Sequence, residues 1–187
     1  MPADASGVRL FLRLGEAKGT IWFDDVTVRV TGTPRVRPAV QPALFPPEEL
    51  DRLLPICREL GIYVVIDLHT PPGGSDPGQM ALFTDAVYQE KFIEAWDFLS
   101  AHYKDEPMVW GYDLLNEPEE GLVASGLLPW RALAEKVARR VRANDPDHAI
   151  IVEPGHAGGW DALPFFPPLD LAGVIYSVHV YDPKKMS

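Results

Sequence analysis

The decapeptide Gly111–Glu120, GYDLLNEPEE, carries an apolar run into Asn116, Glu117 and Pro118. A carboxyl group beside an amide can pass a proton and hold a hydroxyl at the same place. Three other apolar runs finish in a similar way. IYVVIDLH closes on Asp67, Leu68 and His69, and AIIVEPGH closes on Glu153 and His156. GVIYSVHVYDP carries His179 and Tyr181, whose spacing of two puts both on one side of an extended chain. Asn116 and Glu117 are adjacent and would point apart in an ideal strand. Both serve one site only if the chain turns there, and Pro118 marks a strand end. Taken singly, His69 or His179 could equally cap a helix or satisfy backbone groups. Glu119 and Glu120 read as solvated loop charges, and Asp24 and Asp25 as a turn or strand edge.

Several chemistries are disfavoured. There is no HExxH and no CxxC, so no zinc site is expected. PGGSDPG lacks the lysine of a phosphate-binding loop, and GHAGG is not the GxSxG of a serine nucleophile. No cofactor is expected. Cys57 is the only cysteine, which excludes an internal disulfide, and it reads as a small buried residue on a helix. A formal net charge of −10 over 187 residues argues against nucleic acid or an anionic membrane as partner. No signal peptide or membrane-spanning run is visible. What remains is carboxylate chemistry assisted by His, Tyr and Asn. Two carboxylates flanking a bond, one of them acting as acid, suit glycoside hydrolysis.

These residues need elements to hold them. PPEELDRLLPICRELG places Leu50, Leu53, Leu54, Cys57 and Leu60 near one helical face, with Gly61 as the stop. Pro55 should bend or shorten that helix. Phe92, Trp96, Leu99 and Tyr103 recur at helical spacing, and PWRALAEKVARRVRAND reads as a third helix. Strands alternating with helices predict a parallel sheet, whose ligands bind beyond the carboxyl ends of the strands. Before this region, residues 8–30 read as strands joined by a hairpin, and a Pro-rich stretch reads as a linker.

DLHTPPGG, YDLLNEP and YSVHVYDP, in that order, resemble glycoside hydrolase family 5, the cellulase family of (β/α)₈ barrels. The resemblance covers about residues 47–183 and implies strands three to six of the eight. It implies an acid/base role for Glu117 and a hydrogen bond from Asn116 to the substrate 2-OH. It makes His69 the site histidine of the third strand, and His179 and Tyr181 the pair that supports the nucleophile and sugar. Trp160 is a candidate sugar platform. The implied substrate is a β-linked glucan or related polysaccharide, handled outside the cell or in the periplasm.

The resemblance also has gaps. The family's nucleophile is a glutamate ending the seventh strand, and no glutamate follows Tyr181 here. A complete barrel takes roughly 250 residues. The expected architecture is therefore α/β: residues 1–32 as a remnant resembling a carbohydrate-binding β-sandwich, 33–46 as linker, and 47–187 as a partial TIM barrel. Little or no hydrolysis is expected of these residues alone. The open barrel edges would favour self-association. The alternatives are a non-catalytic carbohydrate-binding fragment and a truncated gene product.

Overall fold

The computed structural model describes residues 9–14, 47–75 and 78–181, the first of these segments as backbone only. Five strands lie side by side in chain order: β1 (Arg9–Leu14), β2 (Ile62–Asp67), β3 (Val109–Asp113), β4 (Ala149–Val152) and β5 (Val174–Tyr176). β2 to β5 are parallel, as the strand–helix alternation predicts. β1 differs. It runs antiparallel to β2 along its whole length, from Arg9 opposite Asp67 to Leu14 opposite Ile62. The strand expected to belong to a separate sandwich thus pairs with the edge of the main sheet, whose unpaired N–H and C=O groups invite a partner. The remaining strand expected before residue 30, Asp24, Asp25 and the Pro-rich stretch 33–46 lie outside the described residues.

Three helices, α1 (Glu48–Leu60), α2 (Ala86–Tyr103) and α3 (Trp130–Asn144), accompany the strands. Pro55 does not break α1, which is continuous through it. The proline is exposed, so the Asp51 carbonyl that loses its N–H partner can turn to water. Leu50, Leu54 and Cys57 are buried as expected, whereas Leu60 is exposed at the last turn. Asp85 caps α2 by accepting from Val87 N at 3.0 Å. α2 and α3 are joined by Asn144 and Arg140, which both bond to Asp97.

The core lies between helices and sheet. Trp96, Trp130, Tyr112, Phe92 and Ile150 are fully buried, and Trp130 meets Phe92 edge-on at 6.3 Å. Each aliphatic or Phe side chain taken out of water there contributes about 1.5–3 kcal/mol. Tyr63 and Ile175 alternate with strand residues that pack under the helices, and both are exposed. One face of the sheet is thus covered by the helices, and the other is exposed at Tyr63 and Ile175 while Asp67 and Ile151 on it are buried.

Candidate active site at the strand ends

β3 delivers the chain into the site through two anchored residues. Leu114 and Leu115 are fully buried, and the Leu114 carbonyl accepts from Trp96 Nε1 at 2.9 Å. The chain then reverses, with Glu117 in the left-handed region at φ 46°. A non-glycine residue there costs about 1–3 kcal/mol and persists only where its surroundings hold it. Here the Glu117 N–H donates to Glu153 Oε2 at 2.8 Å. The turn removes the strand alternation that would have separated Asn116 from Glu117. Asn116 is half-buried, and its amide bonds to no described residue.

A second left-handed turn follows β4. His156, Ala157 and Gly158 have φ of 57°, 55° and 69°. Ala157 N donates to Pro118 O at 3.3 Å, which ties this turn to the Glu117 loop. Gly158 O in turn receives the backbone N–H of His179 at 2.9 Å. A Cβ on Gly158 would lie 2.5 Å from Glu153 Oε2, so the carboxylate leaves room there only for glycine.

His179 and Tyr181 meet on one atom. Tyr181 OH donates to Glu117 Oε1 at 2.6 Å, and His179 Nδ1 lies 2.7 Å from the same oxygen. His179 Nε2 lies 3.0 Å from Glu153 Oε1. The imidazole thus spans two carboxylates, and as imidazolium it donates to both. Its pKa is raised to about 9, first by the bond to Glu153 and further by Glu117, against the opposing effect of burial. Burial pushes the Glu117 carboxyl up, but the hydrogen bonds from Tyr181 and His179 outweigh it, and the net direction is down. That reverses the raised value expected of a general acid. Glu117 Oε2 carries no hydrogen bond from a described residue.

His69 sits at the end of β2 with Nδ1 2.9 Å from Asp67 Oδ2. That bond directs the ring's other nitrogen away from the carboxylate, and a charge on His69 would draw the Glu117 carboxyl further down. Asp67 and Asp113 each have one buried oxygen without a hydrogen bond among the described residues. Burial raises both, Asp113 the more, with the Asp67 and Glu153 charges adding to it. No group of three or more metal-ligating side chains with suitable geometry occurs among the described residues.

Comparison with known proteins agrees with this arrangement. The sequence profile of Cellulase (glycosyl hydrolase family 5) matches residues 31–187. The chain belongs to glycosyl hydrolase family 5. A β-xylosidase of Phanerodontia chrysosporium is 36% identical over 125 residues, 61% of this chain and 25% of that protein. Cellodextrinase A of Ruminococcus flavefaciens is 28% identical over 142 residues, 74% of this chain and 41% of its own. Cel5A of Thermotoga maritima in complex with mannotriose superposes with a TM-score of 0.60 at 26% identity. That alignment covers 75% of this chain and 46% of the solved one. The chain therefore spans less than half the length of these relatives, and its parallel α/β sheet matches part of the family's barrel.

Within that family frame, the structure gathers some expected residues and separates others. Glu117, His179 and Tyr181 are bonded together. The His179–Tyr181 pair, expected to support the nucleophile and sugar, here bonds to Glu117. Trp160 stands half-exposed at the start of the 160–165 turn and has no ring contact or side-chain hydrogen bond among the described residues. Glu119 and Glu120 are not merely solvated. Glu119 accepts from Gly78 N, and Glu120 accepts from Trp130 N at the start of α3. They staple the loop on both sides of the site and place negative charge at a helix N-terminus. A cavity of about 570 Å³ opens beside them, with His156 and Phe165 also in its lining. Glu153 was placed at a strand end by the sequence, but its residue type and position alone gave it no role beside Glu117.

Proposed function

We propose that these residues form the acid/base half of a retaining β-glycosidase site acting on β-linked glucan or a related polysaccharide. The observation that carries this reading is the asymmetry of Glu117. One carboxyl oxygen is held by Tyr181 and His179, and the other is left for a substrate. Glu117 would protonate the leaving glycosidic oxygen and later take a proton from the attacking water. Asn116, with its unbonded amide, would hold the sugar 2-OH, His69 would line the cleft, and exposed Trp160 would stack on a sugar ring. Retaining chemistry needs a second carboxylate roughly 5–5.5 Å away. Its charge would push the Glu117 carboxyl back up against the pull of His179 and Tyr181. No glutamate follows Glu153 in the 187 residues. The four parallel strands β2–β5 would correspond to strands three to six of a barrel, and the edge beyond β5 would favour pairing with further strands or a second copy. A polysaccharide substrate places the reaction outside the cell or in the periplasm. No described helix is long and apolar enough to cross a membrane.

Calorimetric titration with cellohexaose and mannohexaose tests the reading. Heat with either sugar, lost in Asn116→Ala, is expected; no heat with both removes the carbohydrate reading. Hydrolysis of an aryl β-cellobioside by the chain alone is expected to be negligible. Robust turnover abolished by Glu117→Gln would show instead that the 187 residues suffice.

A further inference from the structure

We propose that Glu153 is a positioning residue for Glu117: a single buried carboxylate that both holds the turn aiming Glu117 and orients the imidazole that grips it. This rests on the acid/base reading of Glu117 and adds a group that neither residue matching nor the relatives' names assign.

Glu153 closes β4 and is 1% exposed. A buried carboxylate is costly unless its oxygens are occupied, and here each has a distinct task. Oε2 accepts from Glu117 N, satisfying a backbone donor that the left-handed turn would otherwise strand. Oε1 faces His179 Nε2 at 3.0 Å, while Nδ1 of the same ring faces Glu117 Oε1. The carboxylate therefore reaches Glu117 twice, once through the backbone and once through the ring. Its own position is over-determined. The Glu153 carbonyl accepts from Trp130 Nε1 at 2.8 Å, and Gly158 closes against Oε2. Without the carboxylate, the ring could present Nδ1 or Nε2 to Glu117, and the φ 46° turn would have an unpaired donor.

The charged and titratable groups around this pair come from three strands and the loops that follow them. They are Asp67 at the end of β2 and His69 beyond it, Asp113 at the end of β3 and Glu117 beyond it, and Tyr181 beyond β5. The Asp67 charge favours a charged His179, and a protonated His69 would oppose it. Among the described residues, Glu153 and Glu117 are the carboxylates at the ring nitrogens, and Tyr181 meets the ring edge-on at 6.1 Å, so the effect of either acid can be read on His179 itself.

NMR titration of the whole 187-residue chain provides the test. In the native chain, the His179 ring nitrogens and the side-chain carboxyl carbons of Glu117 and Glu153 are expected to shift together, with one midpoint near 9. In Glu153→Gln, which keeps the shape and removes the charge, the His179 midpoint is expected to fall by about 1–3 pH units. The Glu117 amide proton is expected to move upfield as its charge-assisted bond weakens. A folded Glu153→Gln chain with both signals unchanged overturns the proposal. The native titration alone also overturns it if the Glu153 carboxyl carbon does not follow His179, and this holds whether or not the variant folds. Hydrolysis and sugar binding are scored separately. Shared titration without either would keep the clamp and remove the glycosidase reading that it serves.

Discussion

The same three side-chain types meet at opposite ends of the sheet. Beyond β3, Tyr181 and His179 bond to one oxygen of Glu117 at 2.6 and 2.7 Å. Before β4, Tyr112 and His148 bond to one oxygen of Asp145, each at 2.6 Å. In both places the hydrogen bonds outweigh burial and lower the acid. The difference is in the second oxygen. Asp145 Oδ1 accepts the backbone N–H groups of Asp147 and His148, both at 3.0 Å, so the buried Asp145 is saturated. Glu117 Oε2 is not. A Tyr–His–acid trio is thus a fastener when every lone pair is used, and becomes a site when the fold leaves one free.

Removing the saturated acid should have the largest effect on stability. Asp145→Ala strands a buried tyrosine, a histidine and two backbone donors, and urea unfolding should show a loss of about 3–5 kcal/mol. A loss below 1 kcal/mol would erase the distinction between the two trios. Gly158→Ala comes next, at about 1–3 kcal/mol, because a Cβ at φ 69° is strained and meets Glu153 Oε2. It should also shift the His179 titration, which Asp145→Ala should not. Asp113→Asn acts in the opposite direction. Replacing a buried acid that favours its neutral form should raise Tm at pH 7 by about 2–4 °C, roughly 1 kcal/mol at this size. A fall in calorimetric Tm would reveal a cationic partner outside the described residues. The smallest stability effect is expected of Glu117→Gln, within about 0.5 kcal/mol, because the carboxyl is half-exposed and the amide oxygen of Gln can still accept from Tyr181.

The Glu117 trio also carries a pH dependence. The folded His179 pKa, near 9, lies above its ordinary value of 6.5. The folded state therefore binds the extra proton, and the resulting stability is complete below about pH 6.5 and lost as pH rises through 9. His179→Asn should flatten unfolding free energy against pH in that window. An unchanged slope would mean that the ring is not held between two carboxylates.

The sequence made the alternating architecture legible because apolar period and turn residues are local signals. The spacing of His179 and Tyr181 read correctly for the same reason, and Pro118 announced the turn that Glu117 makes. What escaped depended on which distant groups come together. Glu153 bonds a backbone N–H 36 residues away in the chain, and only after a left-handed turn exposes it. Glu119 and Glu120 looked solvated because nothing local shows that Gly78 and Trp130 bring unpaired N–H groups to them. The direction of the Glu117 shift followed from opposing effects whose balance is set by distance. Pro55 looked disruptive because sequence does not show that its lost hydrogen bond would face water.

Trp130 has an optical consequence. Its indole N–H donates to the carbonyl of Glu153, its backbone N–H donates to Glu120, and its ring is sealed in the core against Phe92. Its emission should lie to the blue of that from half-exposed Trp110 and Trp160. A disturbance of the Glu153 strand end would change that blue component before the fold is lost. With the equally buried Trp96 replaced by Phe, the fluorescence of Trp130 can thus report on the strand end that holds Glu117.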